Sequence, residues 1–518
     1  MAKTVPEPSS PLFNWLTERR SGLLVHPTSF PTTTGVGNFG PSAVHFLDFL
    51  ESAGFHCWQM CPLGPTGFGD SPYQTFSVFA GNSYLIDFEA LRDLGLLSDA
   101  DLAPLRALPT DKVDYGGLYT ALPAILDTAY KAFAKGGKSL PEYGDFDDFC
   151  KSSAEWLEPF AAFVTCKHHH DGAPWLEWPE AVRSYQRFCE SALRKQLEPA
   201  MDVVRFTQFV FWAQWKQLRA AAVERHIEII GDVPIFVALD SADVWANPAH
   251  FLLNSKTLQP EVVAGVPPDY FSATGQLWGN PLYDWDAHKA DGYEWWVARM
   301  RAAFETFDIV RLDHFIGFHN YYAIPAEAKD AREGKWCAGP GLDLFAAIKK
   351  AIPEAKIIAE DLGELTDEVV ALRRAAGLPG MSVLQFAFGS GADNPYLPHH
   401  HEGNMVVYPG THDNNTTLGW YHLEAAGNVQ DHFRRYFQVD GAAPQWDLLR
   451  ATLRSVARLA VIPLQDPMNL GGEARLNQPG TQMGNWQWRY NDHQLNQLWE
   501  NSAPYLRELN GLYGRLPR

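Results

Sequence analysis

The chain has 518 residues, of which 46% are hydrophobic and 20% are charged, and its formal net charge is −19. This composition is typical of a folded globular protein and excludes a largely disordered chain. The negative charge and the lack of any basic run argue against a nucleic-acid partner, because binding to a polyanion requires clustered Lys and Arg. No apolar stretch approaches the ~20 residues that span a bilayer, so no membrane segment is predicted.

The six cysteines are widely spaced along the chain. Only Cys57 and Cys61 are close in sequence, and their spacing matches neither a CxxC redox motif nor a zinc-ribbon pair. The N-terminal stretch MAKTVPEPSS lacks the apolar segment of a secretory signal. We therefore expect reduced thiols in a cytoplasmic enzyme. A plastid protein whose targeting segment had been removed would give the same pattern.

Short, almost continuously apolar runs recur along the chain and alternate with longer amphipathic stretches. In chain order the eight runs are SGLLVHP, CWQMCPL, IEIIGDVPIFV, FDIVRLDHF, AKIIAEDL, GMSVLQFAF, NMVVYPGTHD and AVIPLQD. Such runs are typical of parallel strands buried on both faces. Eight of them alternating with helices predict an α/β fold, a (β/α)8 TIM barrel with helical and loop insertions. A doubly wound sheet is the alternative, disfavoured because no Gly-rich fingerprint follows the first run.

Residues 1–518 are predicted to form a single catalytic barrel with two insertions. The second and third runs are separated by residues 64–226, which are too many for one crossover, and segments such as YTALPAILDTAYKAF are amphipathic. We therefore expect a mainly helical insertion over residues 90–200. Residues 240–285 are rich in Gly, Pro, Asn and aromatic residues and are expected to form an inserted loop region over the active-site cleft.

Acidic side chains stand at the ends of several predicted strands, where barrel enzymes place their active sites. Asp313 ends the run IVRLD, and Arg311 lies two residues earlier on the same face of that strand. Glu360 ends IIAE, and the pair His412 and Asp413 follows MVVYPGT. Further polar residues in comparable positions are Asp232, Asp361, Gln465 and Asp466.

A single carboxylate at a strand end is more often a cap or a surface residue than a catalytic group. Carboxylates on several neighbouring strand ends are harder to explain in this way, because burying clustered charges costs several kcal/mol unless the charges are paired or used. Together they indicate two-carboxylate chemistry, with glycoside cleavage as the leading interpretation. A Mg²⁺ or Ca²⁺ site is the competing interpretation, but the sequence lacks a dense acidic loop and phosphate-cradling glycines beside these residues.

At these positions the chain resembles glycoside hydrolase family 77, the 4-α-glucanotransferases also called amylomaltases or disproportionating enzymes, in the α-amylase clan. The resemblance begins near Gly22, runs to the C-terminus and is weakest over residues 90–200. The stretches that carry it are WQMCPLGPTGFGDSPYQTFSVFAGN, GDVPIFVALDSADVWANP, GVPPDYFSATGQLWGNPLYDW, VRLDHF, IIAEDLG, GMSVLQFAF, GTHDNNTTLGW and EARLNQPGTQMGNWQWR. It implies a barrel enzyme that moves α-1,4-glucan segments between glucans through a covalent intermediate.

The resemblance also implies roles for individual residues. Asp313 is expected to be the nucleophile, Glu360 the general acid/base, and Asp413 the carboxylate that stabilises the transition state by holding donor hydroxyls. The residues expected to bind substrate are Arg311, His412, Tyr73, Asp269, Trp278 and Asn280. The expected partners are α-1,4-glucans and maltooligosaccharides, and neither a metal nor a cofactor is expected.

The chemistry sets conditions on these groups. A retaining enzyme holds its two carboxyl groups about 5–5.5 Å apart, one ionised to attack the sugar and the other protonated to release the leaving group. Arg311 is expected to favour the anion of Asp313, whereas Glu360, in a less polar setting beside other carboxylates, should titrate at a higher pH.

Two rival functions share many of these features. An α-amylase-like hydrolase has the same first step, and the acceptor that reaches the intermediate decides between hydrolysis and transfer. We expect the loop 265–281, with Tyr270, Phe271 and Trp278 for stacking and several glycines for movement, to favour a sugar acceptor. A glucan-binding scaffold without catalysis would keep the aromatic residues and lose the carboxylates. The histidine triplets 168–170 and 399–401 are interpreted as solvated loops rather than zinc sites.

Overall fold

A computed structural model of the chain describes residues 10–67, 69–268, 273–363, 365–481 and 483–517. Its centre is an eight-stranded parallel sheet, and each predicted apolar run supplies one strand. The strands are β1 (Arg20–Leu24), β2 (Cys57–Gln59), β3 (Glu228–Pro234), β4 (Ile309–Asp313), β5 (Ile357–Ala359), β6 (Gly380–Val383), β7 (Met405–Tyr408) and β8 (Leu459–Pro463).

The strands follow the order β5-β4-β3-β2-β1-β8-β7-β6, and every paired neighbour is parallel. The two outer strands of this order come together where the backbone N–H of Ala359, in β5, donates to the carbonyl of Pro379, just before β6, at 2.9 Å. The sheet thus curls into a barrel, which confirms the predicted (β/α)8 architecture.

Side-chain alternation along the strands separates two buried layers. Leu24, Cys57, Ile230, Ile309 and Ile358 belong to one apolar cluster, to which every barrel strand contributes and which fills the barrel interior. The residues between them on the strands pack outward against the helices. Along each strand, alternate residues face inward, so the inward positions that follow Ile230 in β3 and Ile309 in β4 are Asp232, Arg311 and Asp313. The polar ends of these two strands therefore lie at the mouth of the barrel.

Helices surround the barrel and fill the segments between its strands. The α-helices are Pro41–Ala53, Phe88–Asp93, Asp99–Arg106, Tyr115–Lys135, Phe146–Ser152, Ala154–His169, Tyr185–Glu190, Ala192–Glu224, Ala242–Ala246, Trp285–Ala290, Glu294–Thr306, Ile316–His319, Leu342–Ala351, Asp367–Ala376, Thr417–Gly419, Gly427–Phe437, Pro444–Arg454 and Asp492–Leu512. None that falls within the described residues is both long enough and apolar enough to cross a membrane.

The segment 90–200 contains several of these helices and one short hairpin, with strands Ser139–Leu140 and Gly144–Asp145. The local sequence explains where these helices begin. Ser98 and Asp101, for example, form a capping box at the helix Asp99–Arg106. The 33-residue helix Ala192–Glu224 leads from this segment back to β3, and its Trp215 donates from Nε1 to the carbonyl of Thr306 at 3.2 Å.

The segment 240–285 differs from the expected loop because it contains two β-strands, Val262–Val266 and Gln276–Pro281. They form an antiparallel sheet with Asn320–Pro325 and Lys335–Ala338. Val262–Val266 pairs with the nearby Gln276–Pro281 and also with Asn320–Pro325, which lies almost sixty residues further along the chain, and the first two strands themselves contain Gly or Pro. Local composition therefore did not predict these strands, because pairing in the tertiary structure stabilises them.

Candidate active site

The ends of β4 and β5 place two carboxylates side by side. Leu312 pairs with Ala359 in the parallel register, so Asp313 and Glu360 occupy the next position on each strand. Neighbouring strands lie about 4.8 Å apart, which brings these two side chains to the same opening. The backbone N–H of His314 donates to Oε2 of Glu360 at 2.7 Å, and that of Leu362 donates to Oε1 at 3.1 Å. Glu360 is therefore held by the backbone on both of its oxygens.

Arg311 joins the nucleophile candidate to a buried carboxylate. Its Nη1 donates to Oδ1 of Asp313 at 3.0 Å and to Oδ2 of Asp232 at 2.5 Å. The side chain of Asp232 is 1% exposed and that of Asp313 is 29% exposed, so only Asp313 can meet a substrate. Burial opposes the charge of Arg311, but both carboxylates favour it and raise the pKa of the guanidinium well above its usual value.

Glu360 titrates near neutrality. The pKa of this carboxyl is raised to about 7, chiefly by burial and also by the negative charge of Asp313, while Arg311 and the two backbone N–H groups favour the anion. A substantial fraction of the molecules therefore carries a proton on Glu360 at neutral pH. This agrees with the higher titration pH that the sequence predicted for Glu360.

The third carboxylate, Asp413, lies in the loop that follows β7 and is held from two sides. Nδ2 of Asn477 donates to Oδ1 of Asp413 at 2.6 Å, and Nε2 of His412 lies 3.3 Å from Oδ2. Burial would raise the pKa of Asp413, but His412 and Asn477 outweigh it and hold the pKa well below its usual value. Asp413 is thus an anion at neutral pH, and its side chain remains 43% exposed to the cleft.

Tyr73 connects these groups into one network. Its hydroxyl donates to Oδ2 of Asp232 at 2.9 Å and lies 2.9 Å from Nε2 of His412. Since the hydroxyl proton is used on Asp232, we assign the donor in the second contact to His412. The rings of Tyr73 and His412 stack at 5.2 Å, and Trp486 packs 5.8 Å from the former and 6.0 Å from the latter. The predicted substrate-binding residues Tyr73, His412 and Arg311 therefore lie in one connected layer at the barrel mouth.

Trp278 reaches the same region from the antiparallel sheet. Its ring lies 4.9 Å from that of His314, edge to face, and His314 adopts the left-handed backbone conformation at φ 53°. Asn280, two residues along the strand, is 6% exposed, and its Nδ2 donates to the carbonyl of Val237 at 2.8 Å. The structure therefore brings Trp278 beside the carboxylate pair but leaves Asn280 buried behind the cleft wall. Asp269, Tyr270 and Phe271 lie outside the described residues.

Several residues that sequence reasoning did not include support the site. Asn477 and Trp486 belong to the stretch EARLNQPGTQMGNWQWR, which was identified as family-like but given no role. The sequence places Asp232 at a strand end but predicts no role for it. Its position one strand from Asp313, on the same inward face, was the signal that could have identified it. By contrast, Asp466 accepts from the backbone N–H and the hydroxyl of Thr417 and supports the loop after β7.

Potential metal ligands lie elsewhere in the molecule. In the part of the chain that the structure describes, one group of three such side chains has ligand atoms within 4.8 Å of one another: His250, His288 and Asp291. None of them belongs to the cleft. His401, in the second histidine triplet, is buried between Ser382 and Ser455, whose hydroxyls lie 3.0 and 2.7 Å from its ring nitrogens, and so has a packing role.

A parallel barrel with paired carboxylates on neighbouring strand ends, one beside an arginine and the other titrating near neutrality, defines an enzyme of the two-carboxylate glycoside-processing class. The sequence profile described as 4-alpha-glucanotransferase matches residues 25–496. Among curated relatives, the 4-alpha-glucanotransferase of Thermus thermophilus is 48% identical and the match covers 91% of this chain and 94% of the relative.

The chloroplastic/amyloplastic 4-alpha-glucanotransferase of Solanum tuberosum is 42% identical over 96% of this chain and 87% of the relative. Among solved structures, the amylomaltase from Streptococcus agalactiae in complex with acarbose superposes with a TM-score of 0.92 at 35% identity, covering 96% of this chain and all of that one. The chain belongs to the 4-alpha-glucanotransferase family. This confirms the resemblance found in the sequence and favours the transferase over the hydrolase alternative.

Proposed function

We propose that this protein transfers α-1,4-glucan segments from a donor to the 4-hydroxyl of an acceptor glucan or glucose by a retaining double displacement. The net reaction is the disproportionation of maltooligosaccharides, with starch or glycogen chains as longer substrates. The observation that carries the proposal is the pair at the ends of β4 and β5, where Asp313 lies beside Arg311 and Glu360 has a pKa of about 7. Family membership supports the same reaction.

In the first half-reaction, a carboxylate oxygen of Asp313 attacks C1 of the donor sugar while Glu360 gives its proton to the departing glycosidic oxygen. The bond from C1 to the leaving glucan breaks and a bond from C1 to Asp313 forms. Arg311 holds the Asp313 carboxylate through its 3.0 Å hydrogen bond. Arg311 remains charged throughout because Asp232, which accepts from the same nitrogen, keeps a compensating negative charge close to the guanidinium.

In the second half-reaction, Glu360 takes the proton of the incoming 4-hydroxyl, whose oxygen attacks C1 and releases Asp313. The backbone N–H groups of His314 and Leu362 hold the Glu360 carboxylate in one orientation during both steps. A pKa near 7 suits both duties, because a group that gives and then recovers a proton works best when its pKa lies close to the working pH.

Asp413 is proposed to bind the donor hydroxyls as the ring flattens toward the oxocarbenium-like transition state. Its 43% exposed carboxylate and the low pKa imposed by His412 and Asn477 support this role. Trp278 and Asp269 are proposed to bind glucan. For Asn280 we propose a supporting role. Its buried amide donates to the carbonyl of Val237 and so holds in place the strand that carries Trp278.

Transfer requires that a sugar acceptor compete with water at about 55 M. We propose that the sheet of strands Val262–Val266 and Gln276–Pro281 helps to cover the cleft, with Trp278 as its contact to the sugar. Gly265 serves packing in this sheet, because an added Cβ would lie 2.2 Å from the carbonyl of Gln276. Gly279, at φ 80°, supplies a backbone conformation that other residues rarely adopt.

The remaining expectations are proposals of the same kind. We propose that residues 1–518 act as a single catalytic barrel, with 90–200 as a helical insertion and 240–285 beside the cleft. We also propose a cytoplasmic location. All six cysteines are free, and three of them, Cys57, Cys61 and Cys166, are buried, as is common in reducing compartments.

Incubation with maltotriose tests the reaction directly. We expect glucose and maltooligosaccharides longer than three units, resolved by size, with little rise in total reducing ends. A rise in reducing ends that matches the number of bonds broken would contradict transfer and indicate hydrolysis.

A further inference from the structure

Three side chains that can bind a metal ion meet outside the barrel mouth. His250 ends the short 3-10 helix Pro248–His250, His288 lies in the helix Trp285–Ala290, and Asp291 follows that helix directly. The three ligand atoms, one from each side chain, all lie within 4.8 Å of one another. His288 and Asp291 are three residues apart, so they lie on the same face at the end of the helix. We call this group the His-His-Asp cluster.

The backbone around the cluster is fixed by hydrogen bonds. The N–H of Asp284 donates to the carbonyl of His250 at 2.9 Å, which joins the 3-10 helix to the residues just before Trp285–Ala290. On the other side, Oδ1 of Asp291 accepts from the N–H of Glu294 at 3.1 Å. Oδ2 of Asp291 faces the cluster instead and lies 3.8 Å from Nδ1 of His250.

His288 is buried with both of its ring nitrogens unpartnered. The residue is 0% exposed, and neither Nδ1 nor Nε2 makes a hydrogen bond. Within the described residues it is the one histidine for which this holds at both nitrogens. Nδ1 of His250 is also buried and makes no hydrogen bond. Buried polar groups are almost always paired with protein, water or an ion, so these nitrogens point to a ligand in the cluster.

The ligand types decide which ion fits. Two imidazoles and one carboxylate suit Zn²⁺ and similar transition-metal ions, whereas Ca²⁺ and Mg²⁺ prefer oxygen ligands alone. Ligand atoms at the corners of a tetrahedral zinc site, with bonds of about 2.0–2.1 Å, lie about 3.3 Å apart. The 3.8 Å between Nδ1 of His250 and Oδ2 of Asp291 is close to this distance.

One rotation is needed before both imidazoles can face the same ion. The rings of His250 and His288 stack with centroids 4.6 Å apart and planes at 22°, and an imidazole binds a metal in the plane of its ring. The half-buried side chain of His250 is 24% exposed and can turn. Rotation about its Cβ–Cγ bond has a broad energy minimum, so this movement costs little.

We propose that the His-His-Asp cluster binds Zn²⁺, with water in the fourth tetrahedral position. His250 and Asp291 line a surface groove of about 1100 Å³, which gives the ion a path from solvent. The bound ion joins the two ends of segment 250–288, which carries Trp278, and a metal that closes a long loop stabilises the folded state. The site takes no part in the transfer reaction and does not depend on the proposed function.

Zinc titration of the full chain, after metal removal with EDTA, tests the site. We expect one Zn²⁺ with a dissociation constant in the micromolar range or below, and a rise in Tm of about 2–4 °C at saturating zinc. Asp291→Asn removes the charged ligand and keeps the acceptor for Glu294, and His250→Ala removes one imidazole. Each should weaken zinc binding about tenfold or more. His400→Ala, an exposed histidine whose Nε2 lies 2.8 Å from the carbonyl of Ala392, is the matched control and should bind zinc normally.

Two results would overturn the zinc site. One is the absence of zinc binding tighter than about 100 µM, which would indicate that water rather than a metal satisfies His288. The other is equal affinity in the unaltered protein and in both cluster variants, because the zinc would then bind at other histidines. Either result would leave the proposed function intact, since the titration contains no glucan.

Discussion

Two arginine–carboxylate clusters in this protein use the same chemistry for different ends. In the insertion, Arg205 donates from Nε and Nη2 to both oxygens of Glu158 at 2.8 and 2.7 Å, and from Nη1 to Glu198 and Asp202 at 2.9 and 2.7 Å. These bonds join the helices Ala154–His169 and Ala192–Glu224. Almost every donor of Arg205 is used, and its three acidic partners are 25–43% exposed to solvent, which screens their charges.

At the barrel mouth, a single nitrogen of Arg311 serves both Asp232 and Asp313. Asp232 is buried, whereas the side chain of Asp313 remains 29% exposed. An ion pair thus acts as a structural link when its charges are fully paired and solvated, and it prepares a reactive group when burial leaves one partner incompletely paired. Substitutions in the two clusters should therefore have opposite signatures.

The largest effect is expected for Asp313→Ala. Loss of the nucleophile should lower kcat/KM on maltotriose by about 10⁴-fold or more, while Arg311 keeps Asp232 and the fold survives. The matched control is Asp202→Ala in the insertion, where Arg205 keeps two acidic partners. We expect unaltered kcat/KM and a fall in Tm of about 1–3 °C. Near-normal activity of Asp313→Ala would refute the assignment of the nucleophile.

Glu360→Gln is expected to have the next largest effect, a fall in kcat of about 10²–10⁴-fold for glucan donors. An α-glucosyl fluoride, whose leaving group needs no proton, should recover much of the lost rate, and this separates the acid role from misfolding. In the unaltered protein, kcat/KM for glucan should fall as pH rises through about 7, since the proton of Glu360 is then lost. A profile that is flat between pH 6 and 8 would contradict this role.

The same carboxyl predicts how stability depends on pH. Its folded-state pKa of about 7 lies above the 4.5 of an unperturbed glutamate, so the folded protein binds this proton more tightly than the unfolded chain. Its contribution is fully present below about pH 4.5 and is lost as pH rises through about 7. Glu360→Gln should therefore raise Tm at pH 8 relative to the unaltered protein and have little effect at pH 4.

Asn477→Ala is expected to have the smallest of these effects. It removes the 2.6 Å donor to Asp413 and should lower kcat/KM about tenfold, the cost of one hydrogen bond to a charged group. Asn477→Asp should be worse, because it places a like charge beside Asp413. Asn485→Ala is the control: its amide donates to Thr481 within the same loop and does not contact Asp413. Equal losses in both alanine variants would indicate that loop structure, rather than the contact with Asp413, is responsible.

The sequence allowed much of this arrangement to be predicted. Each of the eight apolar runs forms a barrel strand, because a strand buried on both faces must be apolar on both and this leaves a continuous local signal. Asp313 and Glu360 were located for the same reason, since each follows such a run directly. The strands of the antiparallel sheet were not predicted, because the two halves of this sheet are joined by a long-range pairing between residues 262–266 and 320–325.

The support around the carboxylates also escaped sequence reasoning. Asn477 lies 64 residues from Asp413, and Tyr73 lies 159 residues from Asp232, so no periodicity or spacing connects either pair. The burial of Asn280 against Val237 likewise depends on a contact between residues that lie 43 positions apart in the sequence. Such contacts are decided by how strands and loops meet in three dimensions.

The barrel, the strand ends that carry acidic groups and the family could all be predicted from the sequence, because hydrophobic periodicity and contiguous motifs are local features of the chain. The tertiary structure, in contrast, fixed how strongly the pKa of Glu360 is raised and which groups surround the two carboxylates. Burial is the main cause of the rise in the pKa of Glu360 to about 7, Arg311 receives Asp232 from β3, and the backbone N–H groups that donate to Glu360 follow β4 and β5. The free energy of a charge depends on every group around it in space, and sequence order does not specify those neighbours.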